Sequence, residues 1–84
     1  MANVVLEPGA AKGFAALPIC IRGRIQQLLM RLERWPEVSG VKPLRGRLAG
    51  RYRLRTGDYR VQFRMEDDDV VVERIGHRDG FYED

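Results

Sequence analysis

Residues 51 to 63, RYRLRTGDYRVQF, alternate arginine with apolar or aromatic side chains over most of their length. Successive side chains of a β-strand point to opposite faces, so the alternation predicts a strand face covered with arginines. A guanidinium is a rigid fork of N–H donors that matches phosphate or carboxylate oxygens. We therefore predict a polyanion-binding face, for which the phosphates of an RNA strand fit best. The alternative is a solvated surface on which nearby acids pair with the arginines, namely Glu73, Asp79, Glu83 and Asp84.

Basic charge is concentrated in one part of the chain. The formal net charge is +3, and lysine occurs only twice among the 15 basic residues. Residues 42–64 hold eight basic residues and one acid, Asp58, whereas residues 65–84 hold eight acids. This clustering says more about a polyanionic partner than the net charge does.

Length and composition predict a single domain over residues 1–84. Hydrophobic residues make up 44% of the chain, enough for a modest core. Cys20 is the only cysteine, which excludes an internal disulfide and suits a reducing cytosol. Without a signal sequence or a membrane-spanning run, a cytoplasmic protein with no membrane partner is expected. One His and one Cys do not form a ligand set, so no metal or cofactor is expected.

Periodicity predicts an α+β domain in which two N-terminal helices pack on a small, mostly antiparallel sheet, in the order β-α-α-β-β-β. Residues 4–6 are typical of a strand, and Pro8 is suited to begin a short helix that Pro18 ends. Residues 19–35 carry apolar side chains three or four apart, which indicates an amphipathic helix. Trp35, at its end, is expected to pack on the core.

Turn signals define the remaining strands. Residues 37–50 are expected to be a loop, and Gly57-Asp58 predicts a two-residue hairpin turn. Residues 67–69 predict a second turn, before a strand at residues 70–75. A two-residue hairpin fixes the cross-strand pairs as Arg51–Arg64, Tyr52–Phe63, Arg53–Gln62, Leu54–Val61, Arg55–Arg60 and Thr56–Tyr59. Two of these are like-charge pairs, which weaken a hairpin unless an anion lies over them.

The segment YRLRTGDYRVQF, followed by an acidic turn and VVVERIGHRDGFY, resembles the RelE/ParE superfamily of bacterial toxin–antitoxin toxins. The resemblance covers nearly the whole chain and implies the same α+β fold. It also implies an antitoxin partner, in a toxin–antitoxin complex expected to be oligomeric. RelE-type members cleave mRNA, usually in the ribosomal decoding site, whereas ParE-type members inhibit DNA gyrase. Fold alone does not separate the two activities.

The resemblance to RelE-type members implies a set of working residues. The strand positions correspond to Arg51 or Arg53, Arg60 belongs to the DYR element, and the C-terminal pair corresponds to Arg78 and Tyr82. RelE itself has lysines on that strand, and arginine does not lose a proton as lysine can. His77 is therefore the more suitable proton carrier, since some relatives place a working histidine in this region. The other arginines are expected to bind RNA: Arg45, Arg47, Arg51, Arg55 and Arg64.

The implied reaction is metal-independent RNA cleavage, in which the substrate's 2′-OH attacks the adjacent phosphorus. Arg53, Arg60 and Arg78 would hold the phosphate and neutralise its growing charge, or else form solvent-facing ion pairs. Imidazole exchanges protons near neutral pH, although a single histidine is as often structural. Tyr82 could act as a base or stack on an RNA base, or it could cover the core, as Phe81 is expected to do.

Three functions are compatible with the sequence. The favoured one is an mRNA endoribonuclease whose partners are mRNA, the ribosome and an antitoxin. The alternatives are a gyrase inhibitor acting by protein binding alone and a nucleic-acid-binding module without chemistry. The feature that separates them is whether His77 and Tyr82 converge on the strand face that is predicted to be covered with arginines.

Overall fold

The computed structural model describes residues 2–81 as two helices on one sheet. The elements are β1 (Asn3–Leu6), α1 (Pro8–Ala15), α2 (Ile19–Leu32), β2 (Lys42–Pro43), β3 (Arg51–Thr56), β4 (Tyr59–Glu66) and β5 (Asp69–His77), with 3₁₀ turns at Gly46–Leu48 and Arg78–Gly80. The spatial order is β1-β5-β4-β3-β2, with β1 and β5 parallel and the other pairs antiparallel. The predicted α+β fold is confirmed.

The core lies between the helices and one face of the sheet. Its most buried large side chains are Ile25, Leu32, Val61, Phe63, Val70 and Val72. Trp35 packs its ring against Tyr52 and Phe63, with centroids 5.0 and 5.3 Å apart. The expectation that Trp35 joins the core is therefore confirmed, and burial of this apolar surface is the main force holding the helices on the sheet.

The β3–β4 hairpin has the predicted turn and register. Gly57 adopts φ +58°, a left-handed conformation that glycine takes without steric cost. Every predicted cross-strand pair is present, from Thr56–Tyr59 at the turn to Arg51–Arg64 at the far end. The hairpin therefore has an apolar face toward the helices and a polar face on the outside of the sheet, which we call the arginine face.

The predicted boundaries of α2 and of the loop that follows it were wrong. Helix α2 ends at Leu32 rather than at residue 35, because the residue before Pro36 is restricted from helical geometry. Residues 33–35 instead donate their N–H groups three residues back, in a tightened last turn. The predicted loop at residues 37–50 contains β2, whose two residues are too few to give a detectable period.

Strand β5 is longer than predicted and contains a β-bulge. Val72 pairs with Phe63 and Arg74 pairs with Gln62, so Glu73 is an extra residue without a partner of its own. A bulge of this kind shifts the alternation of side chains along the strand. Glu73 consequently extends over the arginine face while Val72 and Ile75 both remain in the core.

Helix α1 lies unusually close to β5. A Cβ atom at Gly13 would overlap the backbone carbonyl oxygen of Ile75, and one at Gly9 would lie 3.7 Å from the carbonyl oxygen of Glu73. In contrast, a Cβ atom at Gly23, in the exposed part of α2, would meet nothing within 4 Å. The two helices therefore offer a matched pair of glycine substitutions.

We expect Gly13→Ala to lower the free energy of unfolding by about 1–3 kcal/mol, because the new methyl group must push α1 away from β5. Gly23→Ala should raise it by roughly 0.5–1 kcal/mol, the ordinary gain of alanine over glycine within a helix. Urea denaturation followed by circular dichroism measures both. Equal effects of the two substitutions would contradict the close packing of α1 on β5.

Candidate functional site

The arginine face consists of three rows of side chains that run across the sheet. The row nearest the hairpin turn contains Arg55, Arg60 and Gly76. The middle row contains Lys42, Arg53, Gln62 and Arg74. The row farthest from the turn contains Arg51, Arg64, Val71 and Val5. The sheet thus brings together all the arginines that the sequence predicted on the two hairpin strands.

The centre of this face is closely packed. Arg53, Arg60 and Gln62 are only 8%, 6% and 4% exposed, although they lie on the outer face. Arg60 donates from Nη1 to the carbonyl oxygen of Gly57 at 3.2 Å, which ties its guanidinium to the hairpin turn. Charged side chains that are buried in this way have lost much of their rotamer freedom, which favours precise placement of their N–H donors.

Glu73 lies over the row farthest from the turn. Its carboxylate accepts hydrogen bonds from Arg51 at 2.9 Å, from Arg64 at 2.8 Å and from Gln62 at 3.1 Å, and its side chain is 11% exposed. Burial raises the pKa of this carboxyl, but the hydrogen bonds from Gln62, Arg64 and Arg51 outweigh it and leave the pKa below its ordinary value. Glu73 therefore stays ionised among the arginines.

Arg64 has two further acidic partners. It donates to Glu66 at 2.8 Å and to Glu7 at 3.0 Å. The alternative interpretation, an ion-pair lattice, thus describes Arg51 and Arg64. Their predicted role in RNA binding stays a prediction, and it would require phosphate to replace these carboxylates.

A basic groove of about 340 Å³ opens at the β2–β3 edge of the arginine face. It is lined by Gly40, Lys42, Arg53 and Arg55, and Lys42 and Arg55 are exposed. Lys42 stands directly opposite Arg53 in the ladder, so both side chains project from the same face. Arg45 and Arg47, also predicted to bind RNA, are exposed in the connection between β2 and β3.

Arg78 lies beside the hairpin turn, next to the anchored Arg60. Its backbone N–H donates to the carbonyl oxygen of Asp58 at 2.7 Å, and its Nε lies 3.8 Å from the Asp58 carboxylate. The guanidinium is 56% exposed. Arg60 and Arg78 are thus fixed to adjacent residues of one turn, and the exposed guanidinium of Arg78 remains accessible to a ligand.

His77 does not share the arginine face. It pairs with Tyr59 in the ladder, and directly opposed residues project from the same side of a sheet, here the side of the helices. The His77 and Tyr59 rings meet edge to face with centroids 5.2 Å apart. The His77 Nδ1 atom accepts a hydrogen bond from the N–H of Asp79 at 3.2 Å, so the ring caps the 3₁₀ turn that follows β5.

The segment after β5 returns over the arginine face. Phe81 lies beneath the Arg74 guanidinium, 4.2 Å from the ring centroid, and its ring edge is close to Gly76. Arg74 also donates to the carbonyl oxygen of Gly80. Phe81 was expected to cover the core, and that expectation was wrong, because Gly76 leaves space for the ring on the opposite face. Tyr82, the remaining predicted catalytic residue, lies outside the described residues.

Two negative findings apply to residues 2–81. No group of three His, Cys, Asp or Glu side chains in this part of the chain could hold a metal ion. No helix within the same residues has the length and apolarity to cross a membrane.

Known proteins with the same fold and sequence pattern identify the family. Residues 6–80 match the family described as the ParE toxin of the type II toxin–antitoxin system, parDE. A chain of the RelBE2 toxin–antitoxin complex of Mycobacterium tuberculosis aligns with this one at a TM-score of 0.80 and 32% identity, over 92% of this chain and 98% of that one. This chain belongs to the RelE/ParE superfamily of type II toxin–antitoxin toxins.

Two further proteins are similar to this chain, one in sequence and one in fold. Toxin RelG of Mycobacterium tuberculosis is 44% identical over 43 residues, and the matched segment spans about half of its length and half of this chain. The isolated RelE toxin of Escherichia coli aligns at a TM-score of 0.78 and 20% identity, over 92% of this chain and 84% of that one. At 20% identity, the similarity to RelE shows a shared fold and no more.

Sequence analysis did not place Lys42 on the arginine face and did not find the bulge that positions Glu73. Lys42 was placed in a loop, and the two-residue strand that carries it gave no signal. Glu73 was named as a possible partner of the arginines, but its strand was read as uninterrupted. The apolar residues Val70, Val72 and Ile75 are spaced two and then three apart, and that break in period was the available signal of the bulge.

Glu73 makes the stability of the protein sensitive to acid. Because the pKa of Glu73 is lower in the folded protein, its contribution is complete above the unfolded value of about 4.3 and is lost as pH falls through the folded value. Glu73→Gln should lower the free energy of unfolding by about 1–2 kcal/mol at pH 7, and the difference should shrink progressively as pH falls below the unfolded value. Urea denaturation at several pH values measures it.

The matched control is Glu66→Gln, which removes an exposed carboxylate from the same Arg64. Its effect should stay below about 0.5 kcal/mol at pH 7, as is usual for exposed ion pairs. A difference between wild type and Glu73→Gln that is constant from pH 7 to pH 3 would show that Glu73 does not hold the arginines as a carboxylate.

Proposed function

We propose that this protein is the toxin of a type II toxin–antitoxin pair and acts in the cytoplasm as a metal-independent mRNA endoribonuclease. The observation that carries the proposal is the fixed placement of arginines around the hairpin turn. Arg53 and Arg60 are buried on one sheet face in neighbouring rows, and Arg78 is held to the same turn as Arg60. A protein that used this face only for solubility would gain nothing from burying its guanidinium groups.

The proposed reaction is a transesterification within the RNA. The 2′-oxygen loses its proton, forms a bond to the adjacent phosphorus and displaces the 5′-oxygen, which takes up a proton. The products are a 2′,3′-cyclic phosphate and a 5′-hydroxyl. Arg53, Arg60 and Arg78 hold the phosphate in line and neutralise the charge that grows on its oxygens. Arginine remains protonated throughout, so the two proton transfers belong to other groups.

Tyr82 is the proposed proton-transfer group of this chain. The described chain ends at Phe81, whose ring lies on the arginine face against Arg74 and Gly76. A tyrosine hydroxyl placed among guanidinium groups is favoured in its ionised form and can then accept a proton. His77, on the other side of the sheet, is a poorer candidate.

The proposed partners follow from charge and from the relatives. The RelBE2 structure is a toxin–antitoxin complex, and so is the RelBE structure of Escherichia coli. We propose a cognate antitoxin for this chain, in an oligomeric complex. Acidic side chains of an antitoxin would complement the exposed arginines. Ribosome-bound mRNA is the proposed substrate, and the remaining exposed basic residues, such as Arg45 and Arg47, would contact RNA phosphates.

The proposal is tested by inducing the wild type and the Arg60→Ala/Tyr82→Phe variant in a bacterium, while mRNA 5′ ends are mapped by primer extension. We expect growth arrest with new cleavage sites for the wild type and neither for the variant. Arg34→Ala, which removes an exposed arginine from the region that follows α2, is the control and should arrest growth like wild type. Arrest without cleavage would point instead to a gyrase-type inhibitor.

His77→Gln separates the two candidate proton carriers. Removing a general acid or base costs about 10²–10⁴-fold in rate. Because the imidazole is on the helix side of the sheet, His77→Gln should cleave mRNA within tenfold of wild type, whereas Tyr82→Phe should fall by 10²-fold or more. Cleavage rates from a translation extract with purified proteins give the comparison. The opposite order would assign the proton transfer to His77.

A further inference from the structure

The basic side chains of the arginine face differ in whether a carboxylate of this chain is bound to them. Arg51 and Arg64 share the partly buried carboxylate of Glu73, and Arg64 also bonds to Glu66 and Glu7. Lys42 and Arg55, at the opposite edge, have no hydrogen-bond or ion-pair partner among residues 2–81. The face therefore has a neutralised part and an open part, although the sequence gives both the same density of basic residues.

We propose that Glu73 directs the RNA strand away from Arg51 and Arg64 and into the groove of Lys42, Arg53 and Arg55, which holds the phosphate next to the one cleaved. The inference rests on the proposed function, because it takes RNA as the ligand and the Arg60 side of the face as the place of cleavage. It goes beyond that function by assigning the path of the strand and by giving a role to Lys42 and Glu73.

The shape of the groove supports this path. Its volume of about 340 Å³ exceeds that of a phosphate group, and the four lining residues are three cations and one glycine. Gly40 presents backbone without a side chain, so a ligand can approach closely there. Arg55 pairs directly with Arg60 across the β3–β4 ladder. A strand whose phosphate lies at Arg60 can therefore place its next phosphate in the groove.

The energetics point in the same direction. A phosphate that bound Arg51 or Arg64 would have to displace a partly buried carboxylate that already has three hydrogen-bond partners, Arg51, Gln62 and Arg64. Leaving that carboxylate without its partners is unfavourable. A phosphate that enters the groove meets Lys42 and Arg55 in their solvated state and releases counterions instead. The bulge at Glu73 thus sets which of the basic residues are available to RNA.

The test compares two double variants that remove the same charge from the same face. Lys42→Gln/Arg55→Gln alters the open part, and Arg51→Gln/Arg64→Gln alters the neutralised part. The probe is a short single-stranded 2′-O-methyl oligonucleotide, which lacks the attacking hydroxyl and is not cleaved. Fluorescence anisotropy at several salt concentrations gives the slope of log K against log salt, which reports the number of phosphate contacts.

We expect the magnitude of the slope to fall by about 1.4 for Lys42→Gln/Arg55→Gln, that is, by roughly 0.7 for each lost contact with a single strand. For Arg51→Gln/Arg64→Gln it should fall by less than about 0.5. Equal losses, a greater loss for Arg51→Gln/Arg64→Gln, or a wild type without salt-dependent binding would overturn the proposal.

Glu73→Gln provides a second measurement, since Arg51→Gln/Arg64→Gln leaves a buried carboxylate and could unfold the protein. Freeing one or two arginines should raise the slope by roughly 0.7–1.4. Thermal melting confirms that each variant is folded, and an unchanged slope in folded Glu73→Gln would also overturn the proposal.

The outcomes distinguish this proposal from the proposed function. If the wild type leaves ordinary mRNA intact while the slopes of the two double variants differ, the nuclease activity is refuted and the RNA path is not. If the wild type cleaves mRNA while the two slopes are equal, only the RNA path is refuted.

Discussion

The structure depends on one electrostatic constraint, the accommodation of like charges that face each other on adjacent strands. The hairpin places Arg51 against Arg64 and Arg55 against Arg60, and each pair opposes the strand pairing that the apolar face demands. The carboxylate of Glu73 resolves the repulsion at one end of the hairpin. At the other end Arg60 is held by the carbonyl oxygen of Gly57, and Arg55 extends into solvent.

These two solutions have different consequences for function. An internal carboxylate stabilises the fold but removes cations from the surface on which a polyanion could bind. Solvation leaves the cation available but adds little stability. The proposed RNA binding requires both, because the fold must persist with a concentrated positive charge and part of that charge must remain available to RNA phosphates. The bulge in β5 determines which arginines pair with a carboxylate and which remain solvated.

The sequence predicted those parts of the structure that depend on local rules. Gly57-Asp58 fixes a two-residue turn, and the period of two then determines every pair of the hairpin. Lys42 and Glu73 could not be placed in this way. Strand β2 is too short to show an alternating pattern, and the bulge interrupts that pattern in β5. The face on which His77 lies could not be decided from sequence, for the same physical reason. Its face depends on counting alternation along β5 through the bulge at Glu73, and a shift of one residue moves a side chain to the other side.

The parallel pairing of β1 and β5 has a consequence for the order in which the chain folds. Val4 pairs with Val70, so β1 has no neighbouring strand until β5 is in place. Closing a loop over most of the chain costs entropy that only the completed sheet returns, and such topologies fold slowly. Glu73 lies on β5, so a β3–β4 hairpin that forms before β5 docks has no carboxylate between Arg51 and Arg64. The last strand to complete the sheet therefore also brings the group that neutralises the hairpin.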